Sequence, residues 1–159
     1  MATTKEKQRL IRWYKEETGK TAVDMREVAL FAVKKGWKLA DPIDPIDRLA
    51  NELARAAREE VRTDTKTGKP YRANHAYLAT QGGTQLHLWI DIDEAPRKPM
   101  FKSLMARREQ MVGDGLQLTL DADHWNSIHP DEDPIVVPMD FTEDIEERKN
   151  APEEEKRAS

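Results

Sequence analysis

The chain has no cysteine. Disulfides, thiolate nucleophiles and Cys-based zinc or iron–sulfur sites are therefore excluded, leaving four histidines and the carboxylates as the only metal-binding candidates. Long apolar runs are missing too. No stretch approaches the roughly 18 residues that a membrane span requires, the mean hydropathy is −0.83, and the opening MATTKEKQRL lacks the apolar region of a signal peptide. These absences predict a soluble, cytoplasmic protein with no membrane partner. Aromatics make up only 6% of the residues and hydrophobic residues 38%, so 159 residues suffice for one domain with one modest core.

Charge is abundant, at 35% of residues, and unevenly placed. The net −4 resolves into +5 over 1–72, +1 over 73–110 and −10 over 111–159; cut at Pro130, the body carries +3 and the tail −7. Phosphate binding follows local Lys and Arg rather than the total, so a basic body with an acidic tail is compatible with a polyanion-binding face and a tethered competitor. An acidic tail that merely aids solubility has the same composition.

Periodicity predicts a first amphipathic helix from Thr4 to about Thr18, ended by Gly19. A second, over about 24–35, has Asp24 and Glu27 at capping-box spacing and Gly36 after its end. Its apolar residues go most of the way round, which predicts extensive burial. Pro42 and Pro45 delay a third helix to about 46–62, where Ile46, Leu49, Ala50, Leu53, Ala57 and Val61 form a core stripe and Arg48, Arg55 and Arg62 recur opposite. Two strand-like runs, Tyr71 to Thr80 and Thr84 to Asp93, flank Gln81-Gly82-Gly83 as a hairpin whose loop length leaves the register open. A fourth helical segment begins near Met100, with Gly113 and Gly115 and the strand-like LQLTL leaving its continuity open. Residues 131–159 form an acidic tail, with disorder expected for NAPEEEKRAS.

Motifs for catalysis are weak. Gly19-Lys20-Thr21 lacks the upstream glycine of a phosphate-binding loop, since position 14 is Tyr14. His75 and His87 meet on one hairpin face only in some registers, and His124 and His129 are five apart, off the i, i+4 spacing. Asp91 and Asp93 alternate onto one face, the arrangement by which a small metal-dependent nuclease would hold magnesium, but no Glu-x-Lys partner completes it. No catalytic, cofactor-binding or metal-ligating residue is assigned.

The third helix carries the stronger signal. Arg48, Asn51, Arg55, Arg58 and Arg62 present groups suited to base edges and phosphates, although Glu52 and Glu59 lie at ion-pair spacing from Arg48 and Arg55. Three helices followed by a hairpin resemble the winged helix-turn-helix arrangement. That resemblance implies an α+β fold, a single winged-helix-like domain over 4–130, the third helix as recognition helix and the hairpin as wing. The wing tip has no Lys or Arg, so Lys66, Lys69 and Arg72 at its base would make the phosphate contacts. The stretches LWIDIDEAPRKPM and REQMVGDGLQLTLDADHWNSIHP also look like an uncharacterised bacterial protein family, which implies no activity. The expectation is a non-enzymatic DNA-binding or regulatory protein, with a second copy of the chain (a homodimer) among its candidate partners. The rival is a protein–protein interaction module using Tyr77, His87 and Trp89 as an aromatic hairpin face.

Overall fold

A computed structural model describes residues 2–151. Over the described residues it is α+β, with five helices and two small antiparallel hairpins. The chain divides into two compact units, 1–49 and 50–159, with the boundary inside the third helix.

In the first unit, α1 (Thr4–Thr18) begins with a capping box that periodicity had not revealed: Thr3 accepts from the Glu6 amide and Glu6 returns to the Thr3 amide. Gly19, at φ +68°, closes it in the left-handed region. Helix α2 (Met25–Lys34) takes Asp24 as N-cap, but the expected Asp24/Glu27 box does not form. Glu27 is instead engaged by the Lys20 ammonium at 2.7 Å and the Tyr14 hydroxyl at 2.8 Å, which hold its carboxyl below the usual range. Leu10, Tyr14, Val28 and Ala32 form the core, with Phe31 set edge-on to Trp13 and Tyr14 at 5.2 and 5.3 Å. Only Val28 and Ala32 of α2 are buried, against the expected all-round burial, because a single neighbouring helix covers one stripe of it.

Helix α3 spans Pro45–Glu59. Pro45 opens the helix rather than excluding it, because the first turn has no use for its missing N–H, and the Asp44 carboxylate accepts from the Ile46 amide. The helix also ends earlier than expected. Its stripe is not a core: α3 has no buried residue, and Leu53 is 61% exposed.

In the second unit the chain runs from α3 into β1 (Val61–Thr63), which pairs with β2 (Pro70–Arg72) in a hairpin, so Val61 and Arg62, expected in the third helix, are strand residues. Asp64 closes that turn by accepting from the Lys66 and Thr67 amides. The second hairpin, β3 (Asn74–Gln81) with β4 (Thr84–Asp91), has the two-residue loop Gly82-Gly83. Both glycines have positive φ, +56° and +80°, as a type I′ turn demands. Ala73, fully buried, joins the hairpins: its N–H donates to the Glu60 carbonyl and its carbonyl accepts from the Ile92 amide. Helix α4 (Arg97–Ile128) is unbroken through Gly113 and Gly115, so LQLTL is helical. It lies along the open edge of β3, where the Ser103 hydroxyl donates to the Ala76 carbonyl at 2.6 Å and the Lys102 ammonium to that of Leu78. Those donors satisfy an edge that would otherwise invite pairing. The chain then returns past α4, with Met139 and Phe141 against it, to a short α5 (Thr142–Asn150) inside the tail. The expected disorder of NAPEEEKRAS falls mostly outside the described residues.

Candidate nucleic-acid interface

The residues expected to bind nucleic acid separate into four groups, one of which, Arg58 and Arg72, meets at the cleft described below. Arg48, Asn51 and Arg55 are exposed on α3, and neither Arg48–Glu52 nor Arg55–Glu59 is an ion pair. Lys66 and Lys69 sit in the β1–β2 turn, where the Lys69 ammonium donates to the Lys149 carbonyl at the end of α5. Arg62 has left the helix for β1 and serves a different purpose.

The Arg62 guanidinium grips Asp91 in a two-pronged pair, 2.9 and 2.8 Å, and reaches Asp93 at 2.7 Å and Glu60 at 3.2 Å. The Tyr71 hydroxyl donates to Asp93 at 2.9 Å. Arg62 and then the Asp93 amide hold the Asp91 carboxyl below its ordinary range, while Asp93 raises the Tyr71 phenol. This cluster clamps β1 to the end of β4. The two carboxylates proposed for magnesium thus face a guanidinium, and among the described residues no group of three His, Asp or Glu is placed to share a metal ion.

Register decides the hairpin's chemistry. With the two-residue loop, Trp89 stands opposite Ala76 and His87 opposite Leu78, whereas Tyr77 stands opposite Leu88 and His75 opposite Ile90. Trp89 and His87 therefore share one face and alternation sends Tyr77 and His75 to the other. On the sheet faces this separates Tyr77 from His87 and Trp89, and His75 from His87, although all four border the cleft described next. His75 is buried, with its Nε2 2.9 Å from the Arg72 carbonyl.

What the tertiary structure assembles is a cleft of about 560 Å³ between the end of α3, the β3–β4 hairpin and α4. Arg58, Arg72 and Arg107 border it, with Trp89, Tyr77 and His87, and among the described residues no carboxylate side chain lines it. The Arg58 guanidinium sits 5.1 Å from the Trp89 ring centre, within cation–π range. None of the three arginines is in an ion pair among the described residues. The Asn74 amide braces the site by donating to the Ala57 carbonyl at 3.2 Å and to Glu60 at 2.7 Å, filling a vacancy at the C-terminus of α3. Arg107 was missed by the sequence reading, since nothing in its surroundings, MARREQM, signals that it turns toward a hairpin some thirty residues earlier. Comparison with known protein families, curated proteins and solved structures finds no match for this chain.

Proposed function

We propose that the chain is a non-enzymatic nucleic-acid-binding protein and that it holds single-stranded nucleic acid in the cleft of its second unit. The observation that carries this reading is the meeting of Arg58, Arg72 and Arg107 with Trp89 around one cavity that no carboxylate of the described residues lines. Unpaired guanidiniums attract a phosphate backbone, and an indole offers a stacking platform that accepts any base. The volume suits one or two nucleotides, within the range of small-ligand sites. On this reading α3 contributes through Arg58 in its last turn, with Arg48 and Arg55 as outlying phosphate contacts.

Fluorescence anisotropy with a labelled single strand and the matching duplex, each at low and high salt, tests the proposal. Single-strand binding should weaken steeply as salt rises. Replacing Arg58, Arg72 and Arg107 together by Ala should lower affinity at least tenfold and flatten the salt slope by about 0.7 per lost contact. Trp89→Ala should cost about 1–3 kcal/mol of binding. The winged-helix form of the reading, with α3 as recognition helix and β3–β4 as wing, requires the duplex to bind better. Absence of binding to either strand form would overturn both and favour a protein partner at Trp89 and His87.

A further inference from the structure

The cleft holds more positive charge than stacking surface. Arg58, Arg72 and Arg107 all border it, and their side chains make no hydrogen bond or ion pair among the described residues. Trp89 is the one large ring on its face of the β3–β4 hairpin, because alternation puts Tyr77 on the other. The Arg58 guanidinium lies over that ring, 5.1 Å from its centre, and leaves one side of it open to a base. A strand held along its length needs several rings on which successive bases stack. This cleft provides for a single base.

Charge separates the classes of nucleotide further. Asp91 shares the Trp89 face two residues along β4, but the Arg62 guanidinium pairs with it at 2.8 Å and removes it as a counterion for the cleft. With Arg58 held over the indole, Arg72 and Arg107 remain as two guanidiniums without an anion. An internal phosphodiester brings a single negative charge. A phosphomonoester at the end of a strand brings about −1.5 to −2 near pH 7 and three acceptor oxygens, which matches two guanidinium forks.

We propose, resting on the single-strand reading of the cleft, that it is a terminus site: the end nucleotide of a strand stacks its base on Trp89 while Arg72 and Arg107 hold its phosphomonoester. A free nucleoside monophosphate presents the same chemistry, and the test separates the two sources.

Fluorescence anisotropy at one salt concentration is measured with internally labelled thymidine homopolymers of about ten nucleotides. One strand has hydroxyls at both ends, one a 5′-phosphate and one a 3′-phosphate. A fourth, hydroxyl-ended and one nucleotide longer, matches the phosphate count of the phosphorylated pair. At least one phosphorylated end should bind about tenfold more tightly than both hydroxyl-ended strands. Arg72→Ala together with Arg107→Ala should bring that ratio to about one, and a loss of folded protein cancels from a ratio of two ligands on one protein. Thymidine monophosphate of the preferred end, added as competitor, identifies the source: displacement at concentrations near the dissociation constant of the phosphorylated strand extends the site to free nucleotides, and failure to displace assigns it to strand ends. Equal binding by the phosphorylated strands and the longer hydroxyl-ended one overturns the terminus site and leaves the single-strand reading standing. A preference that survives the double substitution overturns the roles of Arg72 and Arg107. If calorimetry shows a thymidine monophosphate bound while no strand binds, the phosphomonoester site stands and the single-strand reading falls; if nothing binds, both fall.

Discussion

Arg62 shows how one residue changes meaning with its backbone. As the last member of an arginine row it reads as a phosphate contact; on β1 it is the counterion of Asp91 and Asp93. Because Asp91 titrates below its unfolded value of about 3.9, its contribution to stability is complete above that pH and is lost as pH falls through the folded value. Thermal melts followed by circular dichroism should therefore hold steady from neutrality to about pH 4 and decline below it. In Arg62→Met the carboxylates lose their counterion and the folded Asp91 value rises toward the unfolded one, so stability should be lower at neutral pH and the acid decline should shrink; an unchanged acid profile would show that the clamp is dispensable. Ser103, 1% exposed, makes a second point at this scale. Ser103→Ala strands the Ala76 carbonyl and should cost about 1–3 kcal/mol in a denaturation experiment, although nothing apolar is lost.

At the scale of elements, pattern and burial part company in α3. Its stripe has the period of a buried helix, and a buried Leu53 would lose about 2–5 kcal/mol on truncation. With Leu53 largely exposed, Leu53→Ala should shift stability by no more than about 0.5 kcal/mol in chemical denaturation. A larger loss would mean that the stripe is covered in solution. The extent of α1 was legible from its apolar period and Gly19, and the cap of α2 because capping is local chemistry among near neighbours. The β1–β2 hairpin was not, since three-residue strands carry no alternation long enough to recognise. The continuity of α4 through two glycines was likewise open, because the penalty at each glycine is about 1 kcal/mol and context outweighs it.

At the scale of the molecule, the charge gradient meets the fold at α5. That acidic helix ends where the Lys69 ammonium donates to the Lys149 carbonyl, and Ile145 and Pro70 line a common groove. Its Glu146 pairs with Lys149, while Asp140 caps the Thr142 amide. If the acidic segment competes with nucleic acid, neutralising Asp140, Glu143, Asp144, Glu146 and Glu147 should raise affinity at low salt, with the gain fading as salt screens the competition. Equal anisotropy titrations at low salt for both forms would assign the segment to solubility alone.

Taken by itself, the sequence determined what depends on near neighbours or on composition: the absence of cysteine chemistry, the extent of α1, the N-cap and ends of α2, a hairpin turn about Gln81-Gly82-Gly83 and the contrast between a basic body and an acidic tail. Register, burial and the assembly of the cleft were decided only by tertiary structure. One residue more or less in a hairpin loop moves Tyr77 to the other face, and no local preference sets that count. Whether an apolar stripe becomes core depends on what comes to cover it, and in α3 no residue of the stripe is buried. Arg58, Arg72 and Arg107 are separated by up to forty-nine positions. They share a cavity because backbone hydrogen bonds fix the hairpin, Asn74 ties it to the end of α3, and Ser103 ties it to α4.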